Sequence, residues 1–194
     1  MIRNLILAAL ALAIAFGGGG WSVWALMNSE WRPGALQVGP WIAYVQAGTP
    51  GADPYTKARI ARNAELPLGA GEGVAFSARR DTAGDPLRPE CRYRIEGGLP
   101  PARLWTVHVA DQRMRPVHAG PLLPSARHSR DVLYNSDGSV SIHVSRRPAP
   151  GNWLALSAPP GFHLVMTFYD GEISASTAAR EIAMPQILNE GCDG

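Results

Sequence analysis

The chain has 194 residues, a formal net charge of +2 and 18% charged residues. Lys57 is its one lysine, and no arginine cluster is interleaved with aromatics, so the charge pattern argues against a nucleic-acid partner. The 21 glycines and 17 prolines, with little helix-type periodicity, point to short strands and turns.

Residues 1–27 read as a transmembrane anchor. After Arg3 and Asn4, residues 5–27 carry no charge. That run exceeds the ~20 residues a helix needs to cross a ~30 Å hydrocarbon core. Polarity returns with Asn28, Ser29 and Glu30. The basic residue on the N-terminal side predicts a cytoplasmic N-terminus and export of the chain beyond Glu30. Ala13-Ile14-Ala15 also fits a signal-peptide cleavage site. The apolar run resumes beyond residues 17–20, however, with Trp21, Val23, Trp24, Ala25, Leu26 and Met27. A mature protein starting at Phe16 would expose that half to water, so an uncleaved anchor is preferred. Trp21 and Trp24 then sit at the outer interface as an aromatic belt. The expected location is the inner (cytoplasmic) membrane, single-pass, with residues 5–27 in the lipid bilayer and the C-terminal domain in the periplasm. Residues 28–40 form an approach segment, and 41–194 form one exported β-sandwich domain.

Within that domain, residues 41–45 read as a strand between Gly39-Pro40 and Gly48-Thr49-Pro50. Asp53 caps a helix with Pro54 at its first position, continuing over 55–65 until Pro67 stops it. Ile60, Ala61 and Ala64 mark its inner side; Lys57, Arg59 and Arg62 are solvated. Strands come next at 74–79 and 91–95, then at 104–110, with Trp105, Val107 and Val109 on one face and Thr106 and His108 on the other. Residues 131–134 and 140–144 flank Asn135-Ser136-Asp137-Gly138, a hairpin signal. Strands at 153–157 and 163–169 complete a mainly β fold, a jelly-roll-like antiparallel β-sandwich with one short helix. Cys91 and Cys192 are the only cysteines. In an oxidising compartment they are expected to pair as a disulfide, because no second pair has metal-ligand spacing.

No catalytic residue, cofactor or metal site emerges. The glycine-rich residues 69–73 come after a Pro-Leu turn and lead into a strand, the wrong context for a phosphate loop. His108, His118, His128, His143 and His163 show no local ligand spacing. Ser139, Ser141 and His143 lie close together but lack an identifiable orienting acid. Asp81 with Asp85, and Asp170 with Glu172, fall in turn signals. Aromatics are the remaining handle. Tyr93, Trp105 and Trp153 either fill the core or line a ligand groove, and Arg92 and Arg94, flanking Tyr93, would bring an anionic ligand within reach.

Several motifs occur in a family-specific order: Asp53-Pro54-Tyr55-Thr56, Leu66-Pro67-Leu68, Glu72-Gly73-Val74-Ala75-Phe76 with Asp81, and Leu99-Pro100-Pro101-Ala102-Arg103-Leu104-Trp105. Asp137-Gly138-Ser139-Val140 and Asn152-Trp153-Leu154 continue the series. Over roughly residues 41–185 the chain resembles the domain of unknown function 1214. Ala155 and the run Thr167-Phe168-Tyr169-Asp170 depart from that family's usual proline and arginine. The resemblance implies a β-rich, jelly-roll-like domain, often fused to or encoded beside the domain of unknown function 1254. This chain looks like the short, membrane-anchored form without that neighbour. The functional expectation is a non-catalytic envelope protein binding a partner protein, with the 1254 domain as one candidate. The alternative is an enzyme or ligand-binding protein acting on envelope glycans or lipids.

Overall fold

The computed structural model describes residues 2–28, 34–69, 71–171 and 182–192. A continuous helical rod begins the chain: α1 (Ile2–Ala13), a π-helical turn (Ile14–Gly18) and α2 (Gly19–Asn28). Residues 2–24 of this rod are all exposed, and only at Ala25 does the described surface become partly covered. The 24-residue stretch Ile2–Ala25 is long and apolar enough to cross a membrane.

Among the described residues ten strands form two sheets, and the fold is a mainly β sandwich. One sheet has six strands in the order β1 (Leu36–Val38), β2 (Trp41–Ala43), β3 (Gly73–Ala78), β9 (His163–Gly171), β5 (Ala102–Ala110), β6 (Ala126–His128). The other has four: β10 (Gln186–Cys192), β4 (Cys91–Gly97), β7 (Val140–Ser145), β8 (Asn152–Ala155). Every pairing is antiparallel except β7 with β8. The sandwich is as the sequence predicts, but a six-plus-four arrangement with a parallel pair does not establish a jelly roll.

Strict alternation builds the core. Trp105, Val107 and Val109 of β5 face inward beside Leu164, Met166 and Phe168 of β9 and Val74 and Phe76 of β3. Against them the other sheet sends Tyr93, Ile95, Ile142, Val144, Leu154 and Ile187. Phe76 and Phe168 meet edge to face, 5.9 Å between centroids. Further ties are the Cys91–Cys192 disulfide at one end of the β4–β10 pair and the Trp41 indole N–H, which donates to the Pro185 carbonyl at 2.7 Å and so links the two sheets.

The soluble helix α3 spans Pro54–Asn63, with Asp53 accepting from the Tyr55 and Thr56 amides and from the Thr56 hydroxyl. It stops before Pro67 because Ala64 turns into the left-handed region (φ 52°), letting Glu65 N–H reach the Ile60 carbonyl. The inner side also differs from expectation. Thr56 is the buried residue, whereas Ala61 and Ala64 are exposed, because the helix docks through its first turn.

Residues 131–134 do not form the expected strand. The Asn152 side chain takes the place of a partner strand, accepting from Leu133 N–H and donating to the Leu133 and Ser141 carbonyls. The turn after them does close as expected, with Gly138 at φ 79°. Strands β1, β6 and β10 have no counterpart among the expected strands. The first of them lies inside the expected approach segment, of which residues 29–33 fall outside the described residues.

Candidate functional site

The five residues expected to line a groove are divided between the interior and one outer face. Tyr93 and Trp105 lie in the core, 1% and 4% exposed. The Tyr93 hydroxyl accepts from Arg88 N–H, and burial raises its pKa above the usual tyrosine range. Alternation sends Arg92, Arg94 and Trp153 to the outside of the four-stranded sheet. There Arg94 contacts Glu96 at 3.0 Å and Glu190 at 2.9 Å, Arg92 reaches the Glu190 carbonyl, and His143 Nδ1 lies 3.2 Å from Glu190. The arginine expected to face an anion is thus occupied by two carboxylates. Trp153 donates its indole N–H to the Ser145 carbonyl.

The remaining candidates resolve into local structure. Ser139 Oγ donates to Asp137 and accepts from Asn135 in the hairpin turn, not from His143. Asp81 accepts from Asp85 N–H as a turn residue. The Asp170–Glu172 pairing lies outside the described residues, as does Ala70 of the glycine-rich run. His163 is buried with Nδ1 3.0 Å from the Asp111 carbonyl, and His128 Nδ1 accepts from Arg130 N–H. Among the described residues no three His, Cys, Asp or Glu side chains are grouped to hold a metal.

What sequence reasoning missed is the contrast between the two outer faces. On the six-stranded sheet, one register row runs Gln37, Ile42, Ser77, Val165, His108, Ala126. A second runs Ala75, Thr167, Thr106, His128, and a third Gly73, Tyr169, Leu104. No Asp, Glu, Lys or Arg stands in any of the three. Val165 and Thr167, at the centre, are 5% and 7% exposed, while Gln37, Ala75, Ala126 and His128 at the rim are open. Charge depletion of this kind marks interface cores. The alternation of β5 was the signal that could have found it.

His108 lies in this face, half-buried, and burial holds its pKa below the ordinary histidine value. Its contribution to stability is therefore fully present above the unfolded value of about pH 6.5 and is lost as the pH falls below it through the lower folded-state pKa, because the unfolded chain binds the proton first. Melting temperatures of the full chain and of His108→Gln, measured between pH 7.5 and 5, are expected to show the smaller decline in the variant. Equal declines would remove the assignment.

The edges of the other sheet are blocked. Thr82 both accepts from Ile187 N–H and donates to the Ile187 carbonyl along β10. On β8, Arg127 Nε donates to the Trp153 carbonyl and Pro124 accepts from Ala155 N–H. Strand addition is disfavoured at bonded edges. A shallow cleft of about 430 Å³ lies nearby, lined by Ala119, Leu123, Arg146, Ala155, Leu156, Ser157 and Ala158. None of the five expected groove residues lines it.

A two-sheet, disulfide-bonded β-sandwich behind an apolar helix is the class of protein these features define. The chain belongs to the DUF1214 family, described as "Protein of unknown function", whose profile matches residues 72–173, just over half of the sequence. The crystal structure of the VPA0106 protein from Vibrio parahaemolyticus is similar in fold: TM-score 0.56, 21% identity, covering 73% of this chain and 36% of that one. An uncharacterized protein from Burkholderia cenocepacia matches at TM-score 0.39 and 19% identity, covering 74% of this chain and 44% of its own. The present chain thus spans less than half the length of either. A search of curated proteins found no match.

Proposed function

We propose that this is a membrane-tethered envelope protein whose β-sandwich binds a partner protein through the uncharged outer face of its six-stranded sheet. The apolar helix and the disulfide are the two features expected of an extracytoplasmic domain. In this reading the helix stays attached in the inner membrane and the sandwich stands in the periplasm. The observation that carries the proposal is the charge contrast: one sheet face is tied up in ion pairs, the other holds three uncharged rows. In the Vibrio protein the matched part is 36% of a longer chain, so a related fold there occurs beside further polypeptide. The contact proposed here is of that kind, with the 1254 domain as one candidate partner.

Native mass spectrometry of the full chain, extracted gently from its own membranes, is expected to show a stoichiometric second protein. Ala75→Arg and Ala126→Arg place a charge at two open rim positions without touching the core. Burying an uncompensated charge costs well over the ~1.4 kcal/mol that equals a tenfold loss of affinity. Partner recovery is therefore expected to fall at least tenfold with the melting temperature unchanged. A lone protomer, or recovery indifferent to both variants, would sink the proposal.

The second reading rests on the cleft beside Arg146. Its volume of about 430 Å³ is within the range of small-molecule sites. A small-mass adduct on a lone protomer would move the function there, toward an enzyme or binding protein for envelope glycans or lipids.

A further inference from the structure

Among the described residues, α2 of the rod touches α3 of the exported domain. The stretch Ile2–Ala25 is 24 residues, about 36 Å of helix, enough to span the ~30 Å hydrocarbon layer with little left over. Trp21 and Trp24, 69% and 63% exposed, sit in the last turns of that stretch, where interfacial aromatics belong. If α2 leaves the bilayer there, α3 is held at the level of the outer headgroups.

Its composition suits that place. From Pro54 to Asn63 the helix has no acidic residue, and Lys57 and Arg62 are exposed. Lys57 Nζ donates to the Pro50 carbonyl, which uses one of its three protons. Arg59 is turned the other way, its guanidinium 4.7 Å from the centre of the Tyr44 ring. Just beyond the left-handed turn at Ala64, Leu66 stands 97% exposed. Its side chain is therefore free to enter an apolar phase that lies against this end of α3.

We propose that α3 and Leu66 form a second membrane contact, with Lys57 and Arg62 against anionic lipid headgroups and Leu66 entering the outer leaflet beside the spanning helix. The proposal rests on the reading of the helix as a retained anchor. It adds that the sandwich is held in a defined orientation on the bilayer, not suspended from a flexible leash. Charge complementarity with anionic lipid and continuity with the spanning helix favour a lipid surface over a protein as the occupant.

The two native cysteines are bonded to each other, so a single introduced cysteine can carry a fluorophore. The full chain is reconstituted in lipid nanodiscs containing nitroxide-labelled lipid, with and without 30% phosphatidylglycerol. Labels are placed at Leu66→Cys, at Leu12→Cys within the span, and at Leu122→Cys. Leu122 is also exposed but lies near β6 residue Ala126, which pairs with His108 at the far end of β5 from Leu104.

The Leu12 label is expected to be quenched in every disc. In anionic discs the Leu66 label should be quenched at least threefold more than the Leu122 label. The double variant Lys57→Glu/Arg62→Glu should return it to the Leu122 level. Quenching of Leu66 no greater than Leu122, with Leu12 quenched, overturns the second contact and leaves the anchor standing. An unquenched Leu12 label overturns the anchor, and the proposal with it. Strong Leu66 quenching indifferent to lipid charge and to the double variant overturns the headgroup role.

Discussion

Replacing Cys91 and Cys192 together by alanine is expected to lower the unfolding free energy by about 3 to 5 kcal/mol. The bridge joins residues 101 apart in sequence, and closing a loop of that size restricts the unfolded chain by about 4.7 kcal/mol on the chain-entropy account. Residual structure in the unfolded chain lowers the figure, which sets the lower end of the range. The native side points the same way. Only Ile187 of β10 is buried in the core, and beyond Asn189 the strand shifts register against β4. Past that shift, the strand's side-chain ties are the Arg92 bond to the Glu190 carbonyl and the pairs Glu190 makes with Arg94 and His143. Partly exposed pairs of this kind contribute about 0 to 1 kcal/mol each. Guanidinium unfolding of the full chain in detergent measures the loss. Amide exchange should show residues 189–192 opening first, with the centre of β4 still protected. An unchanged midpoint would mean that the bridge carries no part of the stability.

How far the sequence reaches is visible strand by strand. Residues 104–110 alternate Trp, Val and Val with Thr and His, and β5 has that facing in the structure. Strands β1, β6 and β10 are different. Leu36-Gln37-Val38 and Ala126-Arg127-His128 are three residues each, too short for any period to register, and β10 shows no alternation of polar and apolar residues. They are strands because neighbours present unpaired backbone to them, a tertiary cause that local pattern does not carry. The parallel β7–β8 pair was equally hidden. Residues 146–151 must double back beside β7, a path that Pro148, Pro150 and Gly151 at φ 75° accommodate.

The same limit applies to the candidate site. That Arg92 and Arg94 oppose Tyr93 was legible from alternation alone. What consumes Arg94 was not, because Glu190 comes from a strand with no sequence signal, far along the chain. Asn152 illustrates the point from the other side. In the sequence it stands only as the first residue of an Asn-Trp-Leu motif, with no local pattern that gives it a role. In the fold it is a buried amide that stands in for a missing strand, bonding both backbone groups of Leu133. The uncharged sheet face extends by register across six strands, and the alternation of β5 displays only the part of it that holds Thr106 and His108.

Trp41 shows most sharply how a residue with a modest sequence signal can hold the assembly together. Its side chain is 0% exposed, and its indole N–H bonds the buried Pro185 carbonyl at 2.7 Å, across 144 residues of chain. Trp41→Ala removes a large buried ring, which costs about 3 to 5 kcal/mol, and leaves that carbonyl without its donor, which adds about 1 to 3. Against a total stability on the order of 5 to 15 kcal/mol, the variant is expected to be largely unfolded at 37 °C. Trp41→Phe separates the two contributions. It keeps most of the packing and removes the donor, so a cooperative transition should persist with the stability lowered by about 2 kcal/mol. Chemical denaturation of both variants checks the pair. If the phenylalanine variant matched the parent, the Pro185 bond would be incidental and packing alone would hold β2. The lost bond also has a positional consequence. Strands β1 and β2 are the first elements of the sheet after the apolar rod, so loosening Trp41 should free the end of the sandwich nearest α3. Faster exchange at residues 36–43 than at β5 in the phenylalanine variant would show that the Trp41–Pro185 clasp fixes where the chain enters the sheet.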